Sequence, residues 1–267
     1  MIDLCVINYN TKNLLKRFLD TLHSDIDSCN KMWKLHIADN GSTDDTLSWF
    51  SSNYQNYFID SFYKNENIGY SGAANQMAKN TDSEIIAILN ADIWMNSSDV
   101  EKIYNIFLEN KDIHILGPKQ RDENGHITHA GIIGTGSQPK MRGWLDYDPE
   151  DILYKDRINC VTVSGAAFFV RRSVWNAMTY NLEYRKLYPN AIGAFLPTPH
   201  YYEETWCAYF ARHLGYNVVY DGSVSIGHSW HASSPKPNEG FSHADAMFPV
   251  SREMFRKACD HFGIERD

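Results

Sequence analysis

Cysteine is sparse in this chain of 267 residues and is never closely paired: Cys5, Cys29, Cys160, Cys207 and Cys259 form an odd set with no CxxC spacing. That leaves a cysteine zinc site unsupported and argues against a disulfide framework, so a reducing, cytosolic setting is expected. Cys5, Cys160 and Cys207 read as small buried hydrophobes. There is no HExxH motif either, which leaves a histidine zinc centre without support. No GxGxxG follows the first strand-like segment, which counts against dinucleotide chemistry. No apolar run approaches the length of a bilayer span. The start of the chain has no basic segment ahead of a long apolar one, so no signal peptide is expected. Positive charge is in short supply, with 25 Lys and Arg against 33 Asp and Glu and a net charge of -8. This disfavours a protein that tracks a phosphate backbone.

What is present is ordinary globular sequence, 43% hydrophobic and 22% charged, long enough to bury a sizeable core. Residues 2–8 read as a buried strand. A helix then carries Leu14, Leu15, Phe18, Leu19 and Leu22 on one face. Strands at 35–38, 58–63, 85–89 and 113–116 alternate with helices over 43–50, 73–79 and from Ser98, where Ser98 and Glu101 have capping-box spacing. Gly117-Pro118 is expected to stop the fourth of these strands. Such alternation argues a parallel, doubly wound sheet over residues 1–120. Beyond it, Asn124-Gly125 suggests a tight turn, and 131–150 has no clear period. Strands are expected at 160–163, 166–170 and 218–220. Helices are expected at 204–214, capped by Gly215, and at 248–262, and a loop at 233–240.

Two acidic segments stand where buried strands run out: Asp39, opening Asp39-Asn40-Gly41-Ser42-Thr43-Asp44, and Asp92, closing Asn90-Ala91-Asp92. In an open α/β sheet, ligands bind beyond the carboxyl ends of strands. Two carboxylates there suggest a nucleotide base held by one and a metal-bound diphosphate by the other. Asp39 can accept a base N–H while Tyr9 lies against the ring, although an ordinary turn with Thr43 as helix cap is an equal reading. The glycines of Asn67-Ile68-Gly69-Tyr70-Ser71-Gly72 allow close backbone approach, and the next helix aims its N-terminus at an anion. A plain helix start explains them as well. Asn90 and Asp92 face one way in extended backbone and offer oxygen ligands to a hard cation, or else simply end the strand. Glu203-Glu204 precedes a helix; one suits a general base and the other a structural role. His228 and His231 could complete a metal site or touch the diphosphate. His126, His129, His200, His213 and His243 read as structural.

Their order is more specific than any one of them. Val6-Ile7-Asn8-Tyr9-Asn10, then Asp39 to Asp44, then Asn67-x-Gly69-Tyr70-x-x-Ala73-x-Asn75, then Leu89-Asn90-Ala91-Asp92 resembles the family 2 glycosyltransferases of GT-A fold, and most of all their rhamnosyltransferase-like branch. The run Ser164-Gly165 to Arg172 is similar to that family's acceptor-side segment. Glu203-Glu204 stands at the place of its Glu-Asp catalytic pair, and His228 with Ser233-Ser234 at that of its late histidine and serine. The resemblance covers roughly residues 1–235.

It implies an α/β, Rossmann-like, mostly parallel sheet with flanking helices and a C-terminal acceptor-side part. Residues 1–267 would be one domain, with a nucleotide-sugar half (1–120), an acceptor and catalytic half (121–235) and a closing loop and helix (236–267). It implies inverting transfer of a hexose or deoxyhexose from a UDP- or dTDP-sugar to a hydroxyl acceptor, with Mn or Mg, in polysaccharide biosynthesis. Asn8, Tyr9, Asn10, Asp39, Asn67, Gly69, Tyr70, Asn75, Asn90, Ala91, Asp92 and Gly165 would contact the donor. Asp92 and His228 would hold the metal, and Glu204, beside Glu203, would be the base. The acceptor-facing loops would be 131–150 and 233–247, with Trp144, Tyr147 and Phe241. A saccharide acceptor is implied; a nucleic-acid acceptor is disfavoured by charge. Homo-oligomers and peripheral membrane association are both compatible with this reading. Three departures stand out: glutamate for the usual catalytic aspartate, Trp206 for an acid, and Asn90 for the first acid of a DxD element. They keep a non-catalytic nucleotide-sugar-binding protein as an alternative. A nucleotidyltransferase is the other, against which stands the lack of glycine from Tyr9 to Lys16.

Overall fold

The computed structural model describes residues 1–28, 30–53, 59–64, 66–134, 139–230 and 243–266. Strand β1 (Ile2–Asn8) is buried at every position. Helix α1 (Lys12–His23) turns Leu15, Phe18, Leu19 and Leu22 inward. Strand β2 (Trp33–Asp39), helix α2 (Thr46–Asn53), strand β3 (Ile59–Lys64), helix α3 (Gly69–Lys79) and strand β4 (Ile85–Asn90) continue the alternation. Next come β5 (Ile93–Trp94), α4 (Ser97–Glu109), β6 (Ile115–Arg121), β7 (Ile127–His129), β8 (Ile132–Gly134) and β9 (Pro139–Met141). The chain closes through β10 (Arg157–Asn159), β11 (Ala167–Arg171), α5 (Arg172–Thr179), α6 (Leu182–Leu187), α7 (Glu203–His213), β12 (Val218–His228) and α8 (His243–Phe262).

The main sheet has the order β10-β12-β6-β11-β4-β1-β2-β3. β1 is parallel to β2 and β4, β2 to β3, and β6 to β12. β11 runs against both its neighbours and β10 runs against β12. The sheet is therefore mostly parallel, as expected, with β11 as a reversed strand in its middle. Each central strand divides its side chains between two cores. Cys5, Ile7, Ile86 and Ile88 point to one face, packed by α3, α5, α7 and α8. Leu4, Val6, Ile85, Ala87 and Leu89 point to the other, packed by α1 and α4. Burial on both faces is why these strands read as unbroken apolar runs. Each large aliphatic side chain so buried contributes roughly 1.5–3 kcal/mol.

Several local expectations are corrected. Gly117-Pro118 does not stop β6. The pairing with β12 slips between Asp221 and Ser225, so β12 bulges opposite the residue that has no N–H to donate. β12 is accordingly much longer than the three residues expected. The capping box of α4 closes on Asn96 and Asp99 rather than on Ser98 and Glu101. Asp25 then accepts the Ser97 and Ser98 N–H groups at 2.8 and 3.2 Å, a long-range cap that local spacing does not reveal. α3 begins at Gly69, ahead of Ala73. Residues 160–163 form no strand beyond a single bridge between Ile132 and Thr162. Residues 231–242, with His231, Ser233, Ser234, Phe241 and the expected loop, lie outside the described residues.

Candidate active site

Parallel pairing brings the carboxyl ends of β1, β2 and β4 to one edge: Asn8 stands opposite Asp39, and Ile7 opposite Asn90. There Asp39 is fully buried. Its Oδ1 accepts from Asn8 Nδ2 at 3.0 Å and Ser42 Oγ at 2.6 Å, and its Oδ2 accepts from Ser42 N at 3.1 Å. Asn10 stands at φ 54° and accepts the Thr43 N–H at 2.7 Å through Oδ1. Asp39 thus shapes the loop at the strand ends, and its carboxylate is largely spent there. Tyr9 is 45% exposed beside it. Asn67 Oδ1 accepts from Asn40 Nδ2 and from the Gly69 N–H that opens α3. Asn75 sits apart from this edge. It is buried, and the Phe195 backbone occupies both ends of its amide at 2.9 and 3.0 Å.

Asp92 and His228 meet because β5 pairs with the end of β12, Trp94 opposite Gly227 and Ile93 opposite His228. Asp92 lies just before β5 and His228 ends β12. Their Oδ1 and Nε2 atoms are 3.7 Å apart, and both residues are buried. A Cβ on Gly227 would fall 1.6 Å from the Trp94 ring. Glycine there lets the indole lie flat on the β12 backbone while the Arg17 guanidinium covers its other face, 3.4 Å from the ring centroid. Arg17 also bonds Glu123 at 2.6 Å and Ser229 at 3.3 Å, and Ser229 donates to Glu123. The Ser229 N–H in turn donates to the Asp92 carbonyl at 2.9 Å. Asp92 Oδ1 has no hydrogen-bond partner among the described residues. Burial pushes this carboxyl up to about 7, and Glu123 adds to the effect. Behind His228, burial and then the neighbouring imidazole push His129 down to about 3, so it is neutral. It is a core residue, as its sequence context suggested. Arg17, Trp94, Glu123 and Ser229 belong to no sequence motif singled out above; distant segments meet to form their cluster.

The acid pair enters from the start of α7. Glu203 is buried and accepts from Thr198 Oγ1 at 3.2 Å. Burial first, then Glu204, raises its carboxyl; burial raises that of Glu204. Glu204 is half-buried and lies against Gly165, where a Cβ would come 2.9 Å from its Cγ. Gly165 leads into β11, whose pairing with β4 carries on as a hydrogen bond from Asn90 N to the Ala166 carbonyl at 3.0 Å. The Tyr70 hydroxyl donates to the Gly165 carbonyl at 2.9 Å. Its phenol is raised by burial first and then by the charges of Glu203, Glu204 and Asp92. Trp206 is fully buried and stacks on both Tyr184 and Phe210, which also meet each other. It fills the core where the resembling family carries an acid. At the rim, Trp144 meets Trp230 edge-on at 4.6 Å, and Tyr147 is exposed beside His126.

A sequence profile described as glycosyl transferase family 2 matches residues 3–178. Similar solved structures include the mannosyltransferase PcManGT from Pyrobaculum calidifontis in complex with GDP-Man and Mn2+, at 14% identity over 97% of this chain and 64% of that one, with a TM-score of 0.58. S. aureus TarS 1-349 in complex with UDP-GlcNAc is another, at 13% identity over 97% and 66%, with a TM-score of 0.62. GalNAc-T7 with UDP, GalNAc and Mn2+ is a third, at 14% identity over 95% and 48%, with a TM-score of 0.64. At these identities the likeness is one of fold. The chain spans about two thirds of the first two and about half of the third. No curated protein sequence matches it.

Proposed function

Because this chain belongs to glycosyl transferase family 2, we propose that it moves a sugar from a nucleotide-diphosphate sugar to a hydroxyl acceptor, inverting the anomeric carbon. One observation carries the reading. At a single sheet edge, the Asp92 carboxylate has an oxygen without a hydrogen-bond partner and His228 at 3.7 Å, while Glu204 lies against Gly165, whose carbonyl accepts the Tyr70 hydroxyl.

Asp92 and His228 are the residues that would hold a divalent cation. A buried carboxylate oxygen without a donor, with an imidazole nitrogen near it, fits such an ion. No group of three or more His, Cys, Asp or Glu that could hold a metal occurs among the described residues, so the remaining ligands of such an ion would have to come from the donor. When bound, Mn2+ or Mg2+ would offset the charge growing on the leaving diphosphate. Glu204 accepts the proton of the acceptor hydroxyl as that oxygen attacks the anomeric carbon from the face opposite the diphosphate. Glu203 stays on Thr198, and Tyr70 holds the carbonyl of the Gly165 against which Glu204 lies. Asn8, Asn10 and Asp39 set the loop against which the base rests, with Tyr9 as its stacking face. Residues 1–120 act as the donor half, and 121–235 bring the catalytic pair and the acceptor surface within one domain.

UDP is the favoured nucleotide, since the TarS and GalNAc-T7 structures hold UDP or a UDP-sugar; dTDP follows from the rhamnosyltransferase-like pattern. Trp144, Trp230 and Tyr147 present aromatic surface suited to a saccharide acceptor. No helix among the described residues is long and apolar enough to cross a membrane, and a cytoplasmic place of action is part of the proposal.

A panel of nucleotide sugars, screened by thermal shift with Mn2+, tests the reading. The matching donor at 100 times its Kd raises stability by ~2.7 kcal/mol. Asp92→Ala removes the Mn2+-dependent part of that rise. Unchanged Mn2+-dependent donor affinity in this variant would sink the Asp92 assignment. Donor binding with no release of nucleotide under any acceptor would mark a binding protein instead of an enzyme.

A further inference from the structure

The turn leading into the acid pair is strained. Tyr201 and Tyr202 stand at φ 67° and 69°, in the left-handed region where a side chain crowds its own backbone. Two bulky residues persist there only when their surroundings hold them. Helix α8 supplies those surroundings. Tyr202 stacks on Phe255, with centroids 5.0 Å apart and an interplanar angle of 23°, and meets Phe248 at 5.4 Å. Tyr201 meets Phe248 edge-on at 5.8 Å. Ser251, fully buried, accepts the His200 N–H at 3.3 Å. Phe248, Ser251 and Phe255 are spaced three and four residues apart, so one helical face grips residues 200–202. Tyr202 is also the residue that caps α7, and its carbonyl accepts the Trp206 N–H at 2.9 Å. The two side chains that follow this cap are Glu203 and Glu204.

We propose that Tyr201 and Tyr202 are positioning residues: held left-handed by Phe248 and Phe255 of α8, they set the direction in which Glu203 and Glu204 leave the start of α7. The proposal rests on the reading of Glu204 as the base. The fit it protects is tight, because Glu204 lies within contact of the Gly165 backbone. A turn relaxed to ordinary φ would rotate the helix start and swing the carboxylate off that surface. The groups facing the pair are Tyr70 from α3, Thr198 ahead of the turn and Cys207 within α7. Tyr202 completes the set, with Arg252 and Arg256 of α8 near it. Loosening the turn admits water to the buried Glu203 and further to the half-buried Glu204, and carboxyls that regain water regain ordinary titration.

Phe248→Ala is the first test, since Phe248 is 40% exposed and its truncation leaves the core intact. The readout is a 13C NMR titration of the glutamate carboxyls, assigned with Glu203→Gln and Glu204→Gln, which needs neither donor nor acceptor. In the parent the pair titrates above the ordinary range. Phe248→Ala moves it down by ~1 pH unit or more. Tyr202→Gly does the same, because glycine accepts the backbone but loses the ring. Phe248→Tyr keeps the ring and leaves the titration in place. Unchanged titration in Phe248→Ala and Tyr202→Gly, with only a lower melting temperature, reduces α8 to ordinary packing and overturns the proposal. Failure of every donor to support transfer would overturn the functional reading and leave this result standing.

Discussion

Glu204 finds its place because Gly165 has no side chain to obstruct it. Positioned base catalysis supplies about 10²–10⁴ in rate, so Glu204→Gln should lose that factor in kcat while donor affinity, read by titration, stays the same. A variant near parental activity would remove Glu204 as the base. Glu203 predicts something different. Its carboxyl is raised above its ordinary value of 4.5 by burial, with Glu204 adding to the shift. A raised acid contributes stability that is fully present below its ordinary value and is lost as pH rises through the raised one. Melting temperature should therefore fall as pH rises above the ordinary carboxylate range, and Glu203→Gln should flatten that slope. An equal slope in the variant would place the ionisation elsewhere. At this scale the sequence showed which residues were chemically able and left their roles open. Glu203 and Glu204 are adjacent in the chain, and only their separate burial and partners tell them apart. Asp39 was expected at the base, and its hydrogen bonds show how much of it goes to shaping its own loop. Trp206, a departure when read as a motif, is core.

Among the elements, the two-residue β5 has an effect out of proportion to its length, since its pairing with β12 places Asp92 beside His228. Gly227→Ala would drive a methyl into the Trp94 ring. Overpacking of this kind costs about 1–3 kcal/mol. The expected result is a lower melting temperature together with roughly tenfold weaker Mn2+-dependent donor binding, since 1.4 kcal/mol is a factor of ten. A variant with lowered stability and unchanged metal dependence would show that the strand pair does not govern the site. The regular elements of the first 120 residues were legible because each carries a periodic apolar signal: period 3.6 in α1, and an unbroken run in β4. β5, the continuation of β6 past Pro118 and the cap that Asp25 gives α4 were not. Each depends on a partner far away in sequence, such as the bulge of β12 opposite Pro118.

For the molecule as a whole, the two hydrophobic cores share the same strands, alternate residues of which serve opposite faces. Loss of one face would expose the other, so the chain should unfold as a single cooperative unit. The fluorescence lost in Trp33→Phe and in Trp206→Phe, each taken as the difference from the parent, reports on one face apiece. In denaturant both signals should coincide with far-UV circular dichroism. Two separated transitions would divide the chain into independent units. By itself the sequence determined the class of fold, the order of the early strands and helices, and the set of acids able to do chemistry, because periodicity and local motif order are properties of neighbouring residues. The tertiary structure alone decided that β11 runs backwards through the middle of the sheet, that the two-residue β5 is what brings Asp92 to His228, and that α8 braces the turn before Glu203 and Glu204. Each of these joins segments far apart in the chain, and such contacts exist only once both faces of the sheet are packed.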